Sequence, residues 1–367
     1  MLLKNRLSIT ADFYQRTTRD MIGPAESIPS ISGIASDDRA KVNNATLRNR
    51  GWELSVSWND KLKCGFSYGI GFNVFNYKAV VTKYNNPEGI IYNNHTGLAA
   101  NKGYYEGMDI GEIWGYRADD LFLSNREIDD YLRNVNLTAF KSNDLWRRGD
   151  LKYIDSNGDG RVDGGKGTLA DHGDLQIIGN TTPKYSFGIN LNLGYKGFEI
   201  STLLQGVAKR DFPISGSNYM FGGNNYNFKE HLDYFSTENP NGYLPRLTGW
   251  KDDKDFLVNT GYNTTRYLLN AAYMRMKNLT VGYTFNKKQL RHIGISNLKV
   301  YVTCDNLFTV TKLPKQFDPE TLNQVNMSAG GDAQNTAPGL TSPMKQNGNG
   351  MVYPMNRNFV FGLDFTF

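Results

Sequence analysis

The sequence predicts an all-β chain: an antiparallel transmembrane β-barrel wall with short turns at one end of its strands and long loops at the other. Three observations lead there. Apolar and polar residues alternate over long segments, the period of strands with two unlike faces. Aromatic residues make up 13% of the chain, far more than a chain unable to bury a core carries. The connections between alternating segments are by turns short and long, as in outer-membrane barrels.

Taken in order, the first strand is predicted near 5–16, where Leu7, Ile9, Ala11 and Phe13 face away from Ser8, Thr10 and Asp12. The second, near 49–59, sets Trp52, Leu54, Val56 and Trp58 against Glu53, Ser55 and Ser57. The third, near 64–80, sets Phe66, Tyr68, Ile70, Phe72 and Val74 against Ser67, Gly69, Gly71 and Asn73. Strands near 184–195 and 197–209 are joined by Lys196-Gly197, a two-residue hairpin that places Tyr195 opposite Phe198. In the segment near 267–286 the apolar set moves from even positions (Met274, Met276) to odd ones (Leu279, Val281, Tyr283, Phe285). That slip predicts a β-bulge at Lys277-Asn278. The last two strands are expected near 297–311 and 357–367, the second carrying Phe359, Phe361, Leu363, Phe365 and Phe367 on one face.

The long connections fall at about 18–48, 81–183, 210–266 and 312–356. Loops of that length without structure are uncommon in a compact soluble domain. A soluble β-sandwich also alternates, but it needs only a few buried positions per strand. Here the strands are long and their second face is rich in Gly, Ser, Thr and Asn. The longest apolar run, Ala271–Met274, excludes a transmembrane helix. A net charge of +5 without a Lys/Arg block argues against nucleic acid. Cys64 and Cys304 lie too far apart for a disulfide framework or zinc spacing, and the His residues do not cluster with them. No Ser/His/Asp, Cys/His or paired-carboxylate arrangement speaks for an enzyme.

Several stretches in collinear order resemble the SusC/RagA-type TonB-linked outer-membrane transporters. They include Asn5–Ser8 with Asp12–Tyr14, Leu47–Leu54, Gly149–Tyr153, Ile178–Asn180 with Pro183–Gly188, and Leu204–Val207. Met276–Tyr283, Asp305–Thr309 and Phe317–Glu320 continue the series. The resemblance implies that 1–367 is the C-terminal part of a larger barrel of about 22 strands. Plug domain, TonB-contacting segment and signal peptide are then expected to be absent, and about eight strands should form an open, curved sheet when the segment stands alone. It also implies a place in the bacterial outer membrane and import of glycans or oligopeptides. Implied partners are the missing plug and barrel strands, a SusD-like surface lipoprotein and the TonB complex. The terminal set Phe359 to Phe367 looks like the signal read by the barrel-assembly machinery. The competing functional readings are a plug-free surface binding or adhesion protein and a soluble Ca²⁺-dependent sugar-binding sandwich.

Three features could carry chemistry. Asp155, Asn157, Asp159 and Asp163 place side-chain oxygens at positions 1, 3, 5 and 9 of an EF-hand-like loop, and the Arg161 carbonyl falls at position 7. Position 12 is Lys166 rather than Glu, so Asp171 or Asp174 would have to fold back. The bare alternative to Ca²⁺ is an Asx-rich turn that needs no ion. Tyr219, Phe221, Tyr226 and Phe228, interleaved with Gly and Asn, suit a sugar, a peptide or a protein partner, or simple loop packing. Ser124-Asn-Arg-Glu127 is a capping box that predicts a short helix on the second long connection.

Overall fold

A computed structural model describes residues 3–4, 6–23, 42–91, 104–118, 120–214, 229–248, 255, 257–290, 294–322 and 354–366. Eight of its strands form one antiparallel wall: β1 (Leu7–Gly23), β2 (Val42–Lys61), β3 (Ser67–Lys83), β4 (Lys184–Tyr195), β5 (Phe198–Lys209), β6 (Tyr273–Phe285), β7 (Asn297–Asp305) and β8 (Asn358–Thr366). Each strand pairs with its neighbours in the chain, a simple up-and-down order from β1 to β8.

The register explains why alternation was so clear. Leu7 lies opposite Trp58, Trp58 opposite Ile70, and Ile70 opposite Leu191. Tyr195, Phe198, Tyr283, Val300 and Leu363 form another row across β4 to β8. One face of the wall is therefore apolar from edge to edge. The other carries rows such as Asn59, Gly69, Asn192, Ser201, Thr280 and Thr303, with the last two hydroxyls 2.9 Å apart. Among the described residues nothing covers the apolar face: Phe13 is 83% exposed, Phe361 80% and Leu363 68%. A sandwich would bury those side chains under a second sheet, so the uncovered face removes that alternative.

The hairpin at Lys196-Gly197 has both residues at positive φ (47° and 92°), the twist that matches two antiparallel strands. Between β5 and β6, Met276 faces Leu204 while Asn278 faces Leu203, leaving Lys277 as the extra residue of a bulge. Short turns link β2 to β3, β4 to β5 and β6 to β7 at one end of the wall, where β1 begins and β8 ends. Four long connections leave the opposite end. β1 pairs only with β2 and β8 only with β7, so the sheet is open.

Several expectations change, beginning with the first two strands, which run on to Gly23 and start already at Val42 rather than near 16 and 49. The strand read over 297–311 stops at Asp305, because Asn306 turns to φ 53°, and resumes as Thr309–Thr311 against Tyr273–Arg275. The strand read from 267 begins at Tyr273, and Leu268–Asn270 instead pairs with Asp211–Pro213. Three of the long connections, expected as loops, build a folded cap with a core of its own. Among the described residues no helix is long and apolar enough to cross a membrane.

Candidate functional site

The cap draws on three of the long connections. Tyr116, Phe122, Leu137, Leu151 and Tyr153 come from the second, Phe212, Leu244 and Tyr267 from the third, and Leu313, Phe317 and Leu322 from the fourth. Phe140 stacks on Tyr153 with ring centroids 4.3 Å apart, and Tyr116 meets both rings edge-on. Burial pushes the Tyr153 phenol well above its usual range, and its hydroxyl donates to the Val258 carbonyl at 2.5 Å. Small strand pairs, Glu112–Gly115 with Gln176–Asn180 and Asp120–Leu121 with Leu151–Lys152, tie the segments together.

A buried ionic cluster locks this core. Lys141 and Asp150 have fully buried side chains, with Nζ 2.8 Å from Oδ2. Arg246 Nε reaches Asp150 Oδ1 at 2.6 Å, and both cations also contact Asp255. Asn259 Nδ2 and the Arg147 backbone N–H donate the remaining bonds to Asp150. Burial alone would raise the Asp255 pKa, but Lys141 and Arg246 overcome it and hold the carboxyl below its usual range. Two cations against two carboxylates give no net charge, so the cluster needs no outside counter-ion.

The helix predicted at Ser124 is present as α1 (Asn125–Leu132). Ser124 Oγ accepts from the Glu127 N–H at 3.1 Å, and Glu127 accepts from the Leu123 N–H at 2.9 Å. In the Asp155 loop the oxygens receive backbone donors. Asp155 accepts from the N–H groups of Gly158 and Gly160, Asn157 from Asp159, and Asp159 from Arg161. Asp163 accepts from the Gly165 N–H and pairs with the Arg161 guanidinium at 2.6 Å. Asp174 does fold back, accepting from Ser156, Asn157 and Asp163 N–H groups. Burial pushes its pKa up, against those three bonds. The loop as described is thus a set of Asx turns, and among the described residues no three His, Cys, Asp or Glu side chains group as metal ligands. Tyr219, Phe221, Tyr226 and Phe228 lie outside the described residues, as does Phe367. Phe359, Phe361, Leu363 and Phe365 line the uncovered face of β8.

The cap meets the wall on its second, polar face, at the end the long connections leave. There Val81, Val207, Tyr273 and Arg275 are buried. Arg275 grips Asp318 and Glu320, each at 2.8 Å, and Lys277 reaches Glu320 at 2.9 Å. Arg210, buried, donates to the carbonyls of Thr181, Pro319 and Leu322. Sequence reading missed these anchors. The one available signal was the phase slip, since the bulge at Lys277 turns a second cation toward Glu320. At the other end the same face is a hollow of about 750 Å³ lined by Asn59, Gly69, Asn192, Gly194, Ser201 and Thr280. These small side chains leave a lumen unfilled, as the wall of a wide barrel requires.

Comparison with known proteins follows the same outline. No profile of a known protein family matches the chain. TonB-dependent receptor P3 of Formosa agariphila is 26% identical over the whole chain, which spans 33% of that protein. SusC of Bacteroides thetaiotaomicron is 21% identical over 88% of the chain. The RagAB peptide transporter superimposes with a TM-score of 0.63 at 21% identity, covering 99% of this chain and 34% of that one. The chain is similar to one segment of proteins named TonB-dependent receptors. It spans about a third of the length of the curated relatives it matches. The open edges of the wall agree with that share, since a wall of this width is only part of such a barrel. Its relatives are receptors and transporters of the bacterial outer membrane, and its uncovered apolar face is the lipid-facing one.

Proposed function

We propose that the chain serves an outer-membrane TonB-dependent importer of glycans or oligopeptides, supplying part of the barrel wall and an outer, ligand-facing cap. The observation that supports this reading most is the pairing of a lumen-facing wall of Gly, Ser and Asn with a folded cap seated on its outer end. A plug domain and the remaining strands would complete the barrel at β1 and β8, a SusD-like lipoprotein would close it from outside, and TonB would supply energy. The set Phe359 to Phe365 would serve as part of the assembly signal.

The test is uptake. A strain lacking the protein should lose growth on one class of polymer, glycan or peptide, and regain it with the intact gene. Restoration that persists when TonB is removed would sink the reading. Loss of surface adhesion with all growth preserved would favour the plug-free binding protein instead.

A further inference from the structure

The cap holds a second hollow, of about 400 Å³, lined by Asn125, Arg147, Arg148, Phe235, Ser236, Thr237 and Arg246. Its charge is unusual for a protein surface, where guanidinium groups normally meet carboxylates. Arg246 is spent on Asp150 and Asp255, and those two acids are in turn neutralised by Arg246 and Lys141. Among the described residues no acid pairs with Arg147 or Arg148. The Arg147 guanidinium donates to the Asp144 and Trp146 carbonyls, which fixes its direction without cancelling its charge. The Arg148 side chain is exposed and has no ion pair or hydrogen bond among the described residues.

We infer that this hollow is an oxyanion subsite that takes a carboxylate or sulfate group of the ligand presented to the cap. Two guanidinium forks supply parallel N–H donors of the kind that planar carboxylates and sulfates accept in pairs. The Ser236 and Thr237 hydroxyls and the Asn125 amide add neutral donors around them. Phe235, almost fully buried, gives the floor an apolar surface for the carbon skeleton that carries the anion. The buried cluster beneath holds Arg246 and the 147–150 backbone still, so the donors are pre-organised. The inference rests on the import reading only for what brings the ligand. Anion binding is measured without transport, so the two can fail separately.

The experiment titrates the full-length protein carrying this chain, purified in detergent, with sodium sulfate and with sodium acetate, followed by calorimetry in low-chloride buffer. At least one anion should bind saturably, sulfate more tightly if the natural group is a sulfate ester and acetate if it is a carboxylate. Arg148→Gln should weaken that binding about tenfold or more, the loss of one charge-assisted contact. Arg148→Lys, which keeps the charge without the fork, should fall between. Arg126→Gln, on α1 and paired with Asp130, should leave binding within about twofold. Unchanged tryptophan-fluorescence melting shows that each variant is folded. Failure of both anions to saturate, an unaltered Arg148→Gln variant, or an equal loss in Arg126→Gln would overturn the subsite.

Discussion

At Lys141 a single ammonium group with no exposed surface sits between two carboxylates. Lys141→Met keeps the bulk but leaves Asp150 and Asp255 with one cation between them. Breaking such a pair from one side costs about 3–5 kcal/mol. Chemical denaturation followed at Trp146, whose ring lies 4.7 Å from Nζ, should show the cap unfolding at lower denaturant while the wall's transition is unmoved. A single unshifted transition would show that the cluster carries no weight. At Asp174 the issue is hydrogen bonds rather than charge. Asp174→Ala strips the N–H groups of Ser156, Asn157 and Asp163 of their acceptor, at about 1–3 kcal/mol for each that stays buried. Proteolysis at 155–163 should therefore accelerate in the variant. The Ca²⁺ proposed for this loop has its own test. A saturable heat on adding Ca²⁺ to the folded protein, lost in Asp155→Ala, supports it, and a flat titration shows that hydrogen bonds close the turn unaided.

Among the elements, the junction of β5 and β6 is closely packed. A Cβ at Gly206 would lie 2.3 Å from the Tyr273 carbonyl and 2.6 Å from the Phe187 ring. The first of these is backbone and cannot swing away. Gly206→Ala should part the strands locally, just where Arg275 anchors the cap, and should speed hydrogen exchange at Tyr273–Met276. Exchange that stays at the parent rate would show the strands tolerate the methyl. The bulge has a related use. Lys277 reaches Glu320 because the extra residue turns it, so Lys277→Ala should loosen the 318–322 segment without touching the ladder of 278–285.

Over the whole molecule, cap and wall differ in what protonation does to them. Asp255 and Asp318 sit below their usual range: burial alone would raise both, but Lys141 and Arg246 in one case and Arg275 with backbone donors in the other prevail. A carboxylate with a depressed folded-state pKa contributes stability that is complete above its unfolded value, near ~3.9, and lost as pH falls below it. The cap should hold from neutrality to about pH 4 and then open on the way to pH 2, read by Trp114 and Trp146 fluorescence, while strand circular dichroism persists. Simultaneous loss of both signals would show one cooperative unit. The edges make a further prediction. With β1 and β8 unpaired, the isolated 1–367 chain should not give a compact, heat-modifiable monomer in detergent, because a free strand edge in lipid leaves backbone groups unsatisfied.

The wall was legible because its physics is local. Alternation at a period of two, a Lys-Gly turn and a slip of phase at Lys277 are each set by neighbours in the chain, and all eight strands appear in the expected order although several ends differ by up to seven residues. The capping box at Ser124 is local in the same way. The cap was not legible. Its core joins Phe122, Phe212 and Leu313 from connections far apart in the chain, without a shared period, because packing in three dimensions chose its partners. Asp150 looks like any loop acid until Lys141 and Arg246 close around it, and Arg148 like any surface base until the neighbouring acids are found spent. Sequence by itself determined the wall and its two faces. Only the tertiary structure decided which charges are paired, which is a property of distance and not of order.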